Sequence, residues 1–274
     1  MDIDDILASV DRHDPSTPES TALDHQLLTR FWVAERGVSE LLPWPGPLMD
    51  RLMDRVRRQI ETIEDLAATS ADPTTTKTPQ STTNTTINLT LSILQTDLAR
   101  TQYTLRSLLR QRLAKLTKHS MHYLLRISPV PLTQSQSQSQ SQSQDSADVR
   151  PEDSIPAPLH EGAHPPLSAP EVGFLQAHQH LLAKHYGDAF LGSFPPQLRR
   201  LDDNAGGTSM VQGPEVREVV FVRCLVEEVR VVVPPGDGVE EEVVGGTAMR
   251  MGDVWAVRWE GVRDAWGRGE VEVL

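Results

Sequence analysis

The chain has 274 residues, 38% of them hydrophobic, a formal net charge of −12 and a single cysteine, Cys224. That length suits one large domain or two small ones, and the apolar share is low enough that part of the chain is expected to lie outside any core. The acidic balance argues against a general attraction to nucleic acid or to an anionic membrane, one thiol excludes an internal disulfide and multi-thiolate metal sites, and no apolar run approaches the ~20 residues of a membrane span.

The chain opens with "DIDDILASV", residues 2–10. Ile3, Ile6, Leu7 and Val10 share one side of a three-turn helix, and Asp2, Asp4 and Asp5 crowd its first turn, where acids favour the helix dipole. "DRHDPSTP" then cuts it off. An acidic amphipathic start is neither a secretory signal nor a mitochondrial presequence, so an intracellular soluble protein is expected, with the sequons at Asn84 and Asn88 arising by chance.

The spacing predicts a helix over 18–36, with Leu23, Leu27, Phe31 and Ala34 on one face. "LLPWPGP", residues 41–47, forces an extended connector. A second helix over 48–68 carries Leu52, Val56, Ile60, Ile63 and Ala67 as its stripe. Residues 69–86 are rich in Ser, Thr and Pro and read as a disordered insert. Helix resumes near Ile87 and runs for up to 40 residues, with leucines at mixed steps of three and four. A helix that long needs neighbours on more than one side, or a kink.

The Ser-Gln repeat at 133–144 and its flanks, about 128–167, read as a second disordered insert. Ser168 and Glu171 then form a capping box, with Pro170 in the first turn, for a helix ending at "GSFPPQLRRLDD". From Glu215 on there are 7 Arg, no Lys and 13 acids, and Val dominates. "EVREVVFVRCLVEEVRVVV" alternates as one or two strands, with Val220, Val222, Cys224 and Val226 on one side. "GGTAMRMGDVWAVRW" reads as a hairpin turning at Gly252-Asp253, "EGVRDAW" as a short helix and "EVEVL" as a last strand. Such a β module is marginal alone and should lean on something else. The fold class is α+β: a mainly helical A domain, then a small β-rich B domain. The boundaries are 1–17 for the N-terminal helix and linker, 18–203 for the bundle with its two inserts, 204–214 for a linker and 215–274 for the sheet.

Nothing at catalytic spacing appears: no phosphate-binding lysine loop, dinucleotide fingerprint or nucleophile elbow. His178 and His185 share a helix face but stand two turns apart, too far for one ion, and the Asp2, Asp4, Asp5 cluster lacks the glycine of a calcium loop. No cofactor is expected. Arg100, Arg106, Arg110, Arg112, Lys115, Lys118 and Arg126 form a basic stretch against Asp97 alone. One reading is a nucleic-acid face, with Arg106 and Arg110 as contacts. The simpler one is pairing with acidic neighbours, because no aromatic interleaving for base stacking appears. The Ser/Thr-Gln pairs are either kinase sites or a tolerated repeat. Trp32, near a helix end, and Trp44, between Pro43 and Pro45 in the connector, are core residues or rigid interface anchors.

"DIDDILA", "LTRFWVAERGVSELLPWP", "RVRRQIE", "LRSLLRQRLAKLTKH", "SFPPQLRRLDD" and "GDVWAVRW" occur in this order. Together they resemble the Sld-five (subunit four) family of the GINS complex, of fungal type, over residues 2–126 and about 170–274. The resemblance implies a non-enzymatic, nuclear replication protein with a helical A domain and a β-rich B domain. It would assemble with three sister subunits, Psf-one, Psf-two and Psf-three, and join the Cdc-forty-five protein and the Mcm hexamer in the replicative helicase, with indirect or weak DNA contact. It also implies that Asp2, Ile3, Asp4, Asp5, Ile6 and Leu7 dock to the trimeric hub (Ctf-four, or And-one) that links to polymerase alpha. Candidates for subunit contact are Trp32, Leu41, Leu42, Trp44, Leu105, Leu109, Phe194, Leu198, Trp255, Trp259 and Leu274.

Overall fold

The structure is a computed structural model, and it describes residues 18–71, 81–128, 151, 155, 166–195, 198, 199, 201, 211–232 and 246–274. The N-terminal helix expected over 2–10 and the Ser-Gln repeat lie outside the described residues.

Helix α1 (Pro18–Gly37) packs against α2 (Gly46–Ala71) and α3 (Ser81–Lys118), which run as a long antiparallel pair. On α3 the inward residues recur at 87, 91, 94, 98, 101, 105, 108, 112 and 116, steps of four and three that alternate up to 112, as a packed helical seam requires, and end on a second step of four. The long helix resolves its length by breaking once. His119 leaves helical geometry at φ −118°, and α4 (Ser120–Ile127) continues at a new angle, burying Tyr123 and Leu124. Helix α5 (Ala169–Ala189) closes the bundle with Glu171, Leu175, Gln179 and Ala183 inward, and its capping box forms, the Ser168 N–H donating to Glu171 Oε2 at 2.9 Å.

Ordered structure extends into both predicted inserts. Helix α2 runs to Ala71 and α3 begins at Ser81, so Thr69, Thr82, Thr83, Thr85 and Thr86 are helical. Helix propagation is cheap once a turn exists. In the second insert, Ile155 packs on the Leu124–Leu175 core cluster and Leu167 is buried. The Pro166 carbonyl accepts from the Trp44 N–H at 3.0 Å.

The face predicted for α1 is also corrected. Leu23 is 56% exposed, and the residues turned into the bundle are Asp24, Leu28 and Glu35. Helix α1 has two packed faces. One meets α2 and α3, and the other, through Phe31 and Ala34 and with Val38 just past the helix end, meets the sheet.

The β part comprises β1 (Val219–Cys224), β2 (Glu228–Val231), β3 (Thr247–Arg250), β4 (Val254–Arg258) and β5 (Val271–Val273) in two sheets, with α6 (Trp259–Gly267) between the last two strands. Val220, Val222 and Cys224 face the core as the alternation predicts. The expected hairpin at Gly252-Asp253 does not form, because β3 pairs with β2 whereas β4 pairs with β1. Arg223 opposes Val254 and Glu228 opposes Arg250, so four residues, 224–227, face three, 251–253. This corner carries an extra residue, as a bulge does, and folds one long antiparallel ribbon into two short sheets. Gly252 takes φ +85° there, a conformation that a side chain would strain. β5 completes the order β4-β1-β5.

Candidate functional site

Among the described residues the densest chemistry is a set of charges where the bundle, the 38–45 connector and the sheet meet. Arg112 follows Leu105 and Leu108 on the inward seam of α3 and is fully buried. Its Nε and Nη2 donate to the two carboxylate oxygens of Glu171 at 2.7 and 3.0 Å. Nη1 reaches Glu35 Oε2 at 3.0 Å and the Leu42 carbonyl at 2.8 Å, and Nη2 also reaches the Pro166 carbonyl at 3.2 Å. All five guanidinium donors are thus used. The Trp44 ring lies 5.1 Å from the guanidinium carbon.

One cation between two carboxylates leaves a negative surplus, and Lys115 offsets it. Its Nζ donates to Glu35 Oε1 at 2.6 Å and to the carbonyls of Glu35 and Glu40 at 2.5 and 2.9 Å. Burial pulls the Lys115 ammonium below its usual range, although Glu35 pulls the other way. A buried pair of this kind contributes less to net stability than to uniqueness, since only one arrangement of α1, α3, α5 and the connector satisfies every donor.

Glu40 repeats the device between the two parts of the fold. Its Oε1 accepts from Arg126 of α4 at 3.1 Å and from Arg263 of α6 at 2.8 Å, and its Oε2 accepts the Trp259 indole N–H at 3.1 Å. Around it, Arg30 pairs with Glu272 at 3.0 Å, Ser39 donates to Glu218, and His119 Nδ1 lies 3.1 Å from the Gln212 carbonyl. The Tyr123 hydroxyl accepts the Leu41 N–H at 2.9 Å, and burial pushes its phenol up to about 12. The small β module does lean on another element, namely α1 and the connector, through a shared core of Ala34, Val38, Leu42, Val222, Trp259 and Val273.

Four of the residues expected at subunit contacts are consumed by this interior: Leu41, Leu42, Leu105 and Trp259 are each 6% exposed or less. They are core residues, corrected from interface candidates, because the sheet and bundle cover them. Trp32 donates to Ser107 Oγ at 3.0 Å, Trp44 stacks on Arg112 and Trp255 packs on the shared core, all partly buried. Leu109, Phe194, Leu198 and Leu274 remain exposed, between 39% and 58%. Phe194 ends a ladder of rings with Phe190 and Tyr186, at centroid spacings of 6.3 and 5.6 Å. The basic stretch divides. Arg106 and Arg110 face solvent, but Arg112, Lys115 and Arg126 turn to Glu171, Glu35 and Glu40. Sequence reasoning missed those acids as the partners. The available signal was a charge standing in register with an apolar seam.

A helical bundle that carries a small, cornered antiparallel sheet, joined to it by a shared apolar core and by the ion pairs of Glu40 and Glu272, defines a two-part α+β fold. Its helices match the GINS complex protein helical bundle domain of Sld5 over residues 60–190, and its sheet matches the DNA replication complex GINS protein SLD5 C-terminus over 214–274. The DNA replication complex GINS protein SLD5 of Chaetomium globosum is 35% identical over 226 residues, covering 82% of this chain and 80% of its own. The protein of the same name from Yarrowia lipolytica is 32% identical, covering 87% and 75%, and that from Schizosaccharomyces pombe is 28% identical, covering 83% and 79%. The chain belongs to the SLD5 family of GINS proteins.

Proposed function

We propose that this chain is a non-catalytic scaffold subunit of a nuclear GINS heterotetramer. It would assemble with Psf-one, Psf-two and Psf-three and act with Cdc-forty-five and the Mcm hexamer in the replicative helicase, in initiation and elongation. Besides the family, the observation that supports this reading is the arm formed by α2 and α3. Beyond Ile60 and Leu98, no described side chain of either helix is buried, and Leu89 and Ile93 are 61% and 59% exposed. A two-helix arm buries one seam only, and helices from other subunits would supply the missing layers. The N-terminal residues Asp2, Ile3, Asp4, Asp5, Ile6 and Leu7 are the docking peptide for the Ctf-four/And-one hub, an acidic start with an Ile/Leu stripe suited to a groove. Leu109, Phe194, Leu198 and Leu274 are the remaining candidates for subunit contact.

The test is affinity purification of tagged full-length chain from nuclear extract beside a version lacking residues 1–13. Three small partners should come with both, and the hub with the full-length chain alone. The hub arriving with both removes the docking role, and the absence of small partners removes the scaffold reading.

A further inference from the structure

The solvent-facing half of the basic stretch forms one continuous surface. On α3, Arg100, Tyr103, Ser107, Arg110, Ala114 and Lys118 recur at steps of three and four, so they share a face, and all but half-buried Ser107 are exposed. Arg106 flanks them. Ser107 accepts the Trp32 indole N–H, which sets α1 beside this face, and Arg36 lies over the same indole at 6.0 Å. At the Lys118 end the surface dips into a recess of about 190 Å³ between Arg36, Ser39, Lys118 and His119. The charge of this face is not offset. Helix α3 has no acid after Asp97, and the α1 acids past its first turn, Asp24 and Glu35, are buried in ion pairs of their own. Among the described residues, the side chains of Arg100, Arg110 and Lys118 have neither an ion pair nor a hydrogen bond. Arg106 spends one nitrogen on Gln102 at 3.3 Å, and Arg36 has only the indole. Lys115, at the floor of the recess, is spent on Glu35, and Glu218, its one acid, accepts from Ser39. Five cations thus stand without a carboxylate along one side of a chain whose net charge is −12. Tyr103 lies among them, 67% exposed, an aromatic between arginines that sequence reasoning did not count.

We propose that this face binds a single strand of nucleic acid along its phosphate backbone. Arg100, Arg106 and Arg110 hold phosphates, Tyr103 stacks on a base, and Arg36 and Lys118 take a further phosphate at the mouth of the recess. Arg100 and Lys118 stand about 27 Å apart at about 1.5 Å per residue, room for a strand of about four or more nucleotides. Guanidiniums with unspent forks suit phosphate oxygens. The exposed ring decides which polyanion fits. An open strand offers it a base face, whereas a paired duplex hides its bases and an acidic peptide has none. The contact carries no sequence preference, because backbone charge and stacking read every base alike. This inference does not rest on the scaffold reading.

The test uses the full chain, purified with whatever subunits accompany it, and a fluorescent oligodeoxythymidine followed by anisotropy. Saturable binding is expected, falling roughly fiftyfold from about 50 to about 200 mM salt, because about four phosphate contacts release about 0.7 counterion each. Arg100→Gln combined with Arg110→Gln should weaken it about tenfold and flatten the salt dependence. Tyr103→Ala should weaken it about fivefold, and Tyr103→Phe, which keeps the ring, should bind as the parent does. Arg57→Gln, on the far side of α2 and paired with Asp54, should change nothing. All four positions are solvent-exposed, so the variants should melt with the parent. No saturable binding, or equal binding by the double variant and the parent, overturns the proposal. Unchanged binding by Tyr103→Ala, together with displacement of the oligonucleotide by an equal concentration of polyglutamate, overturns it in favour of an acidic protein partner.

Discussion

Arg112 and Glu171 stand 59 residues apart in sequence and meet in a two-bond pair at 2.7 and 3.0 Å, the arginine side chain fully buried and the glutamate 9% exposed. The pair fixes where α5 rests on α3. Because Glu171 also caps its own helix, helix start and tertiary contact are set by one side chain. Replacing Arg112 with Met should cost about 3–5 kcal/mol, since buried Glu171 loses its cation and Glu35 loses one of two. Adding Glu171→Gln should recover part of the loss by removing the uncompensated charge, since Glu35 keeps Lys115. Urea unfolding of the three forms measures both effects.

The rotated face of α1 separates neighbouring leucines. Leu28→Ala should cost about 2–5 kcal/mol, because Leu28 is 1% exposed within the Leu52–Leu108 cluster. Leu27→Ala, at 37% exposure, should cost less than about 1 kcal/mol in the isolated chain. Thermal melts of the two variants decide it, and equal losses would contradict the packing described.

Glu40→Ala leaves Arg126, Arg263 and the Trp259 indole without their common acceptor. Amides of α6 and β5 should then exchange with deuterium faster by at least about tenfold, while those of α2 are unchanged. Uniformly faster exchange would mean that Glu40 supports the whole chain and not the joint.

The phenol of Tyr123 is held neutral by burial up to about pH 12, against about 10 in an unfolded chain. A pKa raised on folding contributes stability that is complete below pH 10 and is lost as pH rises through 12. Burial lowers Lys115, whose share runs the other way and gains as pH approaches its unfolded value. Tyr123→Phe should flatten the alkaline loss while costing about 1–3 kcal/mol at neutral pH, because the Leu41 N–H loses its acceptor. Chemical denaturation at pH 7 and pH 11 checks both parts.

Periodicity and punctuation were enough for elements whose signals are local: the prolines of 41–47, the capping box at Ser168, the alternation of Val220, Val222 and Cys224, and the closing helix and strand. They misplaced features set by contacts elsewhere. The turn at Gly252 looks like a hairpin because a glycine with positive φ serves a turn and a bulged corner equally well. Only the partners of β3 and β4 distinguish the two.

By itself, then, the sequence determined a helical bundle followed by a small sheet, and the family, because apolar spacing and ordered motifs are one-dimensional properties. The tertiary structure decided which charges are structural. Glu35, Glu40, Arg112 and Glu171 look like surface residues in a row of letters, and an apolar stripe carries no record of an acid and a base that neutralise one another across it. Whether a buried charge is ruinous or holds a joint together depends on a partner a few ångströms away, and that distance exists only once the chain has folded.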